Sequence, residues 1–358
     1  MDILRDERVV VVSGSYGAGH DVVADELVRR LAARGVVAGR LDVAAMFPLG
    51  LGYLLRGLYF RQLAVAPRSW ASLLDRLDHD NPCADLVERL LWRLGRRLLR
   101  KVEHADLVVS THPFASQILG HARAEGRLAA RVVTYLTDAS VHRLWVHAGV
   151  DQHLAIDEIA AAQARARGAR AQAVDPVVPP TPSTHDGPRP WPDDTAVALV
   201  VGGSRGVGEL LEAALDVLET GLCTPVVACG TNARLRRRLA RIPGVVALGW
   251  RSDLARLMAD ADCVIQNAGG ITSLEALAVG TPIVSYRPVP GHGVTNAQAL
   301  DRAHRIPYVT SREGLASALR NALTPRTTLA NLQLDATPTA PDAVEILLPG
   351  VDAVGSAA

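Results

Sequence analysis

The sequence predicts an α/β protein of two domains, each a parallel sheet covered by helices, and three observations carry that prediction. Two glycine-rich turns open the two halves of the chain. Val9-Val10-Val11-Val12 runs into Ser13-Gly14-Ser15-Tyr16-Gly17-Ala18-Gly19-His20, and the apolar run 197–201 runs into Gly202-Gly203-Ser204-Arg205-Gly206-Val207-Gly208. Each reads as strand, tight turn and helix start, the opening of an α/β half-domain. Apolar runs then alternate with helical patterns in both halves, which argues for parallel rather than antiparallel pairing. Between the halves, residues 174–195 hold seven prolines (Pro176, Pro179, Pro180, Pro182, Pro188, Pro190 and Pro192) and little periodicity, the composition of a linker.

The elements follow in order. After the first turn, Val23, Leu27 and Leu31 recur with Arg29, Arg30 and Arg34 between them, so residues 20–34 read as an amphipathic helix ending at Gly35. Strands are predicted at 36–43, 106–110, 131–136 and 152–156. Past the linker the alternation restarts, with strands at 196–201, 225–229, 245–248, 262–266 and 282–286. Helices are predicted at about 207–220, 232–241, 252–260 and 271–279. The domains are therefore 1–173 and 196–325, joined by 174–195. Residues 326–358 are rich in Thr, Pro and Ala and read as a partly mobile tail.

Composition narrows the function. The chain has 358 residues, 49% apolar and 4% aromatic, with a formal net charge of +1, so no global field favours nucleic acid. Basic charge is carried by Arg, with Lys101 the single lysine. Cys83, Cys223, Cys229 and Cys263 form no C-x-x-C pattern, which points to reduced thiols and a cytoplasmic protein. The charged start, Met1 to Arg8, lacks a signal-peptide core, and no apolar run reaches the roughly 20 residues of a membrane span. Any membrane contact is therefore expected to be peripheral.

The most informative run is Gln266-Asn267-Ala268-Gly269-Gly270-Ile271-Thr272-Ser273-Leu274-Glu275-Ala276-Leu277-Ala278-Val279-Gly280-Thr281-Pro282. It reads as strand, turn and helix, and new helix N–H groups can meet an anion. Glu275 falls about one turn in, where its carboxylate can accept from two vicinal hydroxyls of a ribose. An ordinary β-turn-α unit, with Glu275 compensating the helix dipole, explains the spacing equally well.

At these residues the chain resembles a known family. The run G-G-x-T-x-x-E-A-L, the Gly202-Gly203-Ser204 loop and Pro290-Gly291-His292-Gly293-Val294-Thr295-Asn296 resemble glycosyltransferases of the GT-B fold, two Rossmann-like domains facing each other across a cleft. Monogalactosyldiacylglycerol synthases and processive diglucosyldiacylglycerol synthases are the nearer resemblance. The bacterial transferase that adds GlcNAc to the peptidoglycan lipid precursor is more distant. The first half agrees: Ser13 to His20 resembles the family's G-x-G-H turn. Thr137-Asp138-Ala139-Ser140-Val141-His142-Arg143-Leu144-Trp145-Val146-His147 resembles its T-D-x-x-x-H-x-x-W-x-H stretch. The likeness runs from about residue 9 to 305 in one motif order.

The resemblance implies an inverting hexosyltransferase that uses a UDP-sugar and needs no cofactor or metal, the diphosphate being met by helix N-termini and amides. Glu275 would hold the ribose of UDP. The backbone of Gly202, Gly203, Ser204, Gly269, Gly270, Ile271 and Thr272 would face the pyrophosphate. Gly249-Trp250-Arg251 would line the uracil pocket, unless Trp250 is a core-edge anchor. His292 and Asn296 would stand near the donor sugar. One departure bears on the sugar: galactosyl enzymes of the family carry Gln-Glu where this chain has His292-Gly293, so the acidic contact to sugar hydroxyls is missing.

In the first half, transfer to a hydroxyl needs a base, and a positioned base contributes roughly 10²–10⁴-fold. His20 closes the glycine turn, and the resemblance makes it that base; otherwise it packs locally at a helix start. Asp138 either orients His20 or caps structure. Gly17, Gly19, His142 and Trp145 are candidate acceptor contacts, with fold contacts the alternative for His142, Trp145 and His147. No D-x-D motif ends a strand, and Asp193-Asp194 falls in the linker. The histidines lack zinc-ligand spacing.

Two segments suit an anionic bilayer surface. In 86–102, Leu86, Leu90, Leu94, Leu98 and Val102 form one stripe and Arg89, Arg93, Arg96, Arg97, Arg100 and Lys101 occupy the other face. Residues 50–66, around Tyr53 to Arg61, are apolar, aromatic and basic. A helix packed on the sheet is the alternative for both, and for 86–102 the better one, because the strand at 106 needs a covering helix. The expected partners are thus a UDP-hexose, a lipid acceptor such as diacylglycerol and the inner membrane face, with no nucleic acid. A soluble acceptor, a nucleotide-sugar epimerase of the same fold and a silent UDP-sugar-binding module remain as alternatives.

Overall fold

The computed structural model describes residues 8–79, 81–180, 189–192, 195–267, 269–324 and 340–349. Residues 181–188 and Asp193-Asp194 of the expected linker, residues 325–339 and the last nine residues lie outside them. The chain divides into two compact units. One takes in the described residues of Met1–Gln62, Ser69–Val178 and Thr339–Ala358; the other takes in those of Leu63–Arg68 and Pro179–Pro338.

The first unit is built on six parallel strands: β1 Val9–Ser13, β2 Ala38–Asp42, β3 Leu107–Ser110, β4 Arg131–Leu136, β5 Gln152–Ala155 and β6 Ala171–Ala173. Their order across the sheet is β2-β1-β3-β4-β5-β6. Helix α1 (Ala18–Ala33) links β1 to β2. Five helices precede β3: α2 (Val43–Met46), α3 (Leu51–Val65), α4 (Pro67–Asp78), α5 (Pro82–Leu94) and α6 (Arg96–Val102). Helices α7 (Pro113–Ala124) and α8 (Glu158–Ala166) follow in chain order. The unbroken valines of β1 are all buried because both faces of a parallel sheet are covered. Helix α1 turns Val23, Leu27 and Leu31 onto the sheet, each with no exposed surface.

The second unit repeats the plan in the order β12-β11-β10-β7-β8-β9. Its strands are β7 Val197–Val201, β8 Thr224–Ala228, β9 Val246–Leu248, β10 Cys263–Gln266, β11 Ile283–Tyr286 and β12 Tyr308–Val309. Helices α9 (Leu210–Thr220), α10 (Ala233–Leu239), α11 (Leu254–Asp260), α12 (Ile271–Ala278), α13 (His292–Arg302) and α14 (Arg312–Leu323) connect them. Two parallel Rossmann-like sheets with helices are the α/β architecture expected from the sequence. In each sheet the order reverses beside the first strand, between β1 and β3 and between β7 and β10. Loops leaving those neighbouring strand ends diverge there, which is where open α/β sheets hold ligands.

Three local results differ from the sequence expectation. The segment 86–102 is two helices rather than one, broken at Gly95, whose position would put a Cβ 2.4 Å from Ile118 Cγ2. Its single apolar stripe is therefore not realised: Leu91, Leu98 and Val102 are in the core while Leu86 and Leu90 are exposed. Strands β6 and β12 are short and partly exposed, too weak a pattern to predict. In the expected tail, Ala343–Leu347 form helix α15 on the first unit, with Ala343, Val344 and Leu347 buried. Arg131 donates to the carbonyls of Ile346 (3.1 Å) and Leu347 (3.3 Å), and Asp175 N–H donates to Pro341 O.

Candidate active site

In the first unit the glycine turn after β1 and the Ser110–Pro113 segment after β3 lie side by side at the switch point. His20 is in the first turn of α1, whose N-cap, Gly17, provides no side-chain bond. Its Nδ1 lies 2.8 Å from the Thr111 carbonyl oxygen and 3.0 Å from Thr137 Oγ1. A carbonyl only accepts, so Nδ1 carries the proton and Nε2 is left with its lone pair. Thr111 closes the strap from the other side, its Oγ1 donating to the His20 carbonyl at 2.9 Å. Gly17 leaves room beside that nitrogen: a Cβ there would come 3.7 Å from Nε2. Gly19 is half-buried in the same helical turn.

The described partners on Nδ1 are Thr111 and Thr137. Asp138 is half-buried and its charge raises the Tyr59 hydroxyl pKa, secondary to burial. Trp145 differs from its expected place at the acceptor. It has no exposed surface, packs with Leu136, Val141 and Ala155 in the core, and backs the His20 ring at 5.8 Å. His142 is half-buried, 6.2 Å from Trp145. His147 is a fold contact: its Nδ1 accepts from Gly149 N–H at 3.0 Å and its ring covers Gly120. Burial holds its imidazole down to about 4.

A residue the sequence did not single out completes this half. His112 is 97% buried and its ring meets that of His20 edge to face, with centroids 4.7 Å apart. Its one advance signal was position: a His before a Pro at the end of an apolar strand next to the glycine turn.

In the second unit the three glycine-bearing loops leave adjacent strands β7, β10 and β11. Gly203, Gly206, Gly208, Gly269 and Gly291 all have positive φ, and only glycine takes that backbone without strain. The Gly202–Gly208 loop is held from both sides: Asn232 Nδ2 donates to Gly206 O at 3.0 Å and Asn267 Nδ2 to Val207 O at 2.8 Å. A Cβ on Gly208 would stand 2.5 Å from Asn267 Nδ2, so the loops can close only with glycine there. Ser204 is half-buried and its carbonyl accepts from Thr231 N–H at 2.9 Å.

Helix α12 begins at Gly270 with no side-chain cap, so Ile271 and Thr272 enter the helix without a protein side chain on their N–H groups. Glu275 lies on this helix, and burial alone pushes its carboxyl up to about 7, with no cation offsetting the cost. Asn296 is wholly buried against Gly269, whose added Cβ would come 2.7 Å from the asparagine Cβ. His292 is the half-buried first residue of α13. A Cβ at Gly293 would approach the Asn267 carbonyl oxygen to 3.0 Å and Val289 Cβ to 3.3 Å, so this packing leaves little room for the family's acidic side chain.

Trp250 is 60% exposed after β9, on the solvent side rather than at a core edge. The Arg251 guanidinium grips Asp253 at 2.7 and 2.6 Å, a pairing that brings the Asp253 carboxyl down to about 2. That loop therefore offers Trp250 and its backbone more readily than the Arg251 charge. Among the described residues no group of three His, Cys, Asp or Glu is placed to hold a metal ion.

Comparison with known proteins agrees with this fold. Residues 20–180 match the family model for monogalactosyldiacylglycerol (MGDG) synthase, and residues 196–324 match that for glycosyl transferases group 1. The chain is a GT-B glycosyltransferase. At modest identity it is similar to diacylglycerol glycosyltransferases. A processive diacylglycerol beta-glucosyltransferase of Bacillus cereus is 24% identical over 322 residues, covering 84% of this chain and 81% of the relative. Among solved structures, Acinetobacter baumannii MurG aligns over 95% of this chain and 98% of its own, at 17% identity and a TM-score of 0.55. The glycosyltransferase SsfS6 of Streptomyces sp. SF2575, complexed with thymidine diphosphate, aligns over the same shares at 19% identity and 0.60. Arabidopsis thaliana UGT89C1 with UDP gives 17% and 0.59 over 95% and 97%. At such identities these structures speak for the fold alone.

Proposed function

We propose that this glycosyltransferase moves a hexose, with glucose expected, from a UDP-sugar to the free hydroxyl of diacylglycerol, inverting the anomeric carbon. The observation that carries the reading is the tautomer of His20: with Nδ1–H committed to Thr111, Nε2 is a bare base beside a glycine-cleared space. The acceptor oxygen forms its bond to the sugar C1 as the C1–O bond to the diphosphate breaks. The hydroxyl proton passes to His20 Nε2 and UDP leaves. Glu275 accepts from the ribose hydroxyls, Trp250 covers the uracil, and the amides of Gly202, Gly203, Ser204, Gly269, Gly270, Ile271 and Thr272 meet the diphosphate. Asn296 supports that turn from beneath, and His292 borders the sugar. No metal is needed in this scheme, so chelation with EDTA is expected to leave turnover unchanged.

The match to a diacylglycerol glucosyltransferase and the packing at Gly293 both favour glucose over galactose. A competition assay with UDP-glucose, UDP-galactose and UDP-GlcNAc tests this, and equal turnover of the galactosyl donor would reject the assignment.

The lipid half of the reading is supported by α3. Tyr53, Leu54 and Leu58 are exposed on it, with Leu49 before it, and Arg61 is exposed among them. Apolar side chains flanked by Arg suit an anionic bilayer surface, where each basic residue adds about 1 kcal/mol. No helix among the described residues is long and apolar enough to cross a membrane; the proposal is a peripheral enzyme on the cytoplasmic face. The double variant Leu54→Ser, Leu58→Ser is expected to bind anionic vesicles at least about tenfold more weakly, since two leucines forfeit about 1.5 kcal/mol or more of burial. Unchanged co-sedimentation would reject α3 as the contact.

A further inference from the structure

We propose that His112 is the positioning residue of the transfer base: its neutral ring fixes the plane of the His20 imidazole and so aims Nε2. This rests on His20 being the base. The argument begins with the surroundings of His112. Its ring lies flat on the first glycine turn, where a Cβ on Gly14 would come 2.5 Å from Cγ and Cδ2. Gly14 has an ordinary backbone conformation, so that contact, and not a positive φ, requires glycine there. Tyr16 and Phe114 hold the ring on other sides, at centroid distances of 5.1 and 5.0 Å. The remaining side is the edge-to-face contact with His20, interplanar angle 74°.

The backbone under His112 is equally fixed. Ser110 Oγ donates to the His112 carbonyl at 2.9 Å, Ser116 Oγ lies 2.9 Å from Ser110 Oγ, and Thr134 Oγ1 lies 2.9 Å from Ser116 Oγ. This buried run of hydroxyls ties the end of β3 to α7 and β4. The same segment supplies the Thr111 carbonyl that accepts from His20 Nδ1–H, so one rigid turn sets both the hydrogen bond and the ring contact of the base.

Chemistry explains why a histidine stands there. Helix α7 starts with Pro113, and the N–H of Phe114 donates to His112 Nδ1 at 3.2 Å. Nδ1 is therefore an acceptor and the proton is on Nε2, the opposite tautomer to His20. Burial, followed by the nearby His20 and His142, holds the His112 imidazole well below the usual range, so it stays neutral. A neutral ring can sit against His20 without resisting the charge His20 gains when it takes the proton. Phenylalanine would reproduce the ring contact and lose only the cap; alanine would lose both.

The test uses the full chain and steady-state transfer with detection of both tautomers by ¹⁵N NMR. His112→Ala is expected to lower kcat roughly ten- to a hundredfold with the KM for UDP-sugar unchanged, and His112→Phe to recover most of that loss. In the unsubstituted protein the imidazole spectra should show Nδ1–H for His20 and Nε2–H for His112. In His112→Ala, His20 should keep its Nδ1–H on the Thr111 carbonyl while its ring resonances shift and broaden as the fixed plane is lost. A His112→Ala enzyme with native kcat, or a His112 carrying its proton on Nδ1, would overturn the proposal. Should His112→Ala fail to fold, His112→Phe decides alone: a kcat as low as that of His20→Ala would mean the ring contact is not what matters. The base reading fails separately, if His20→Ala keeps native kcat, whatever His112 does.

Discussion

Replacing His20 by alanine is expected to lower kcat by about 10²–10⁴-fold, the range a positioned general base supplies, with UDP affinity unchanged. The second half of that statement gives the test its force. His20 is in the first unit, strapped to Thr111 and Thr137, while the groups assigned to the nucleotide lie in the second unit, after β7, β9, β10 and β11. Loss of transfer with UDP titrating normally is the signature of a missing base. Loss of both would mean that the substitution damages the fold, and the thermal midpoint would show it. Native turnover would mean that another group takes the proton.

Glu275→Gln is expected to weaken UDP binding about ten- to a hundredfold while making the unliganded protein more stable. Hydrogen bonds to a charged partner contribute about 1.5–3 kcal/mol each, and the carboxylate is assigned two ribose hydroxyls. The stability gain follows from linkage. The folded pKa, about 7, is above the ordinary value of 4.5. Between these the native state binds more protons than the unfolded one, so stability falls as pH rises from about 4.5 to about 7. The difference corresponds to roughly 3 kcal/mol as an upper figure. Glutamine removes the penalty, so its gain in thermal midpoint should be present at pH 8 and absent at pH 4.5. UDP affinity in the unsubstituted protein should rise with pH through about 7, since the ionised carboxylate is the better acceptor, and the variant should lose that dependence. A variant less stable at pH 8, with UDP affinity intact, would give Glu275 a structural role.

The parts of the molecule visible in sequence are those governed by local pattern. Uninterrupted apolar runs such as Val9–Val12 must be buried on both faces, and glycine turns after them mark β1 and β7 with little ambiguity. Glu275 and His20 were visible because each falls a fixed few residues from such a turn. What escaped depends on contacts distant in the chain. Thr111 meets His20 across 91 residues and Thr137 across 117, and neither pairing leaves a mark in spacing. Asp138 was offered as an orienting group, with a structural cap as the alternative, because a carboxylate is the obvious partner for a histidine, whereas a backbone carbonyl has no sequence signature. Trp145 was read as an acceptor contact from its motif, but a side chain of that size also fills a core, and here it backs the base from behind. The need for glycine at 95 was hidden for the same reason: only the approach of Ile118 shows why no side chain fits there. Helix α15 returns to the first unit through Arg131 carbonyl contacts that no local window contains.

The central claim is that the hydroxyl deprotonated by His20 belongs to a lipid. Mass spectrometry of the products from UDP-glucose, with and without diacylglycerol in mixed micelles, tests it most directly. The account predicts a hexosyl-diacylglycerol that forms with the unsubstituted protein, requires the lipid and disappears in His20→Ala. UDP released without any glycolipid, or a donor converted to its epimer in the absence of acceptor, would contradict it.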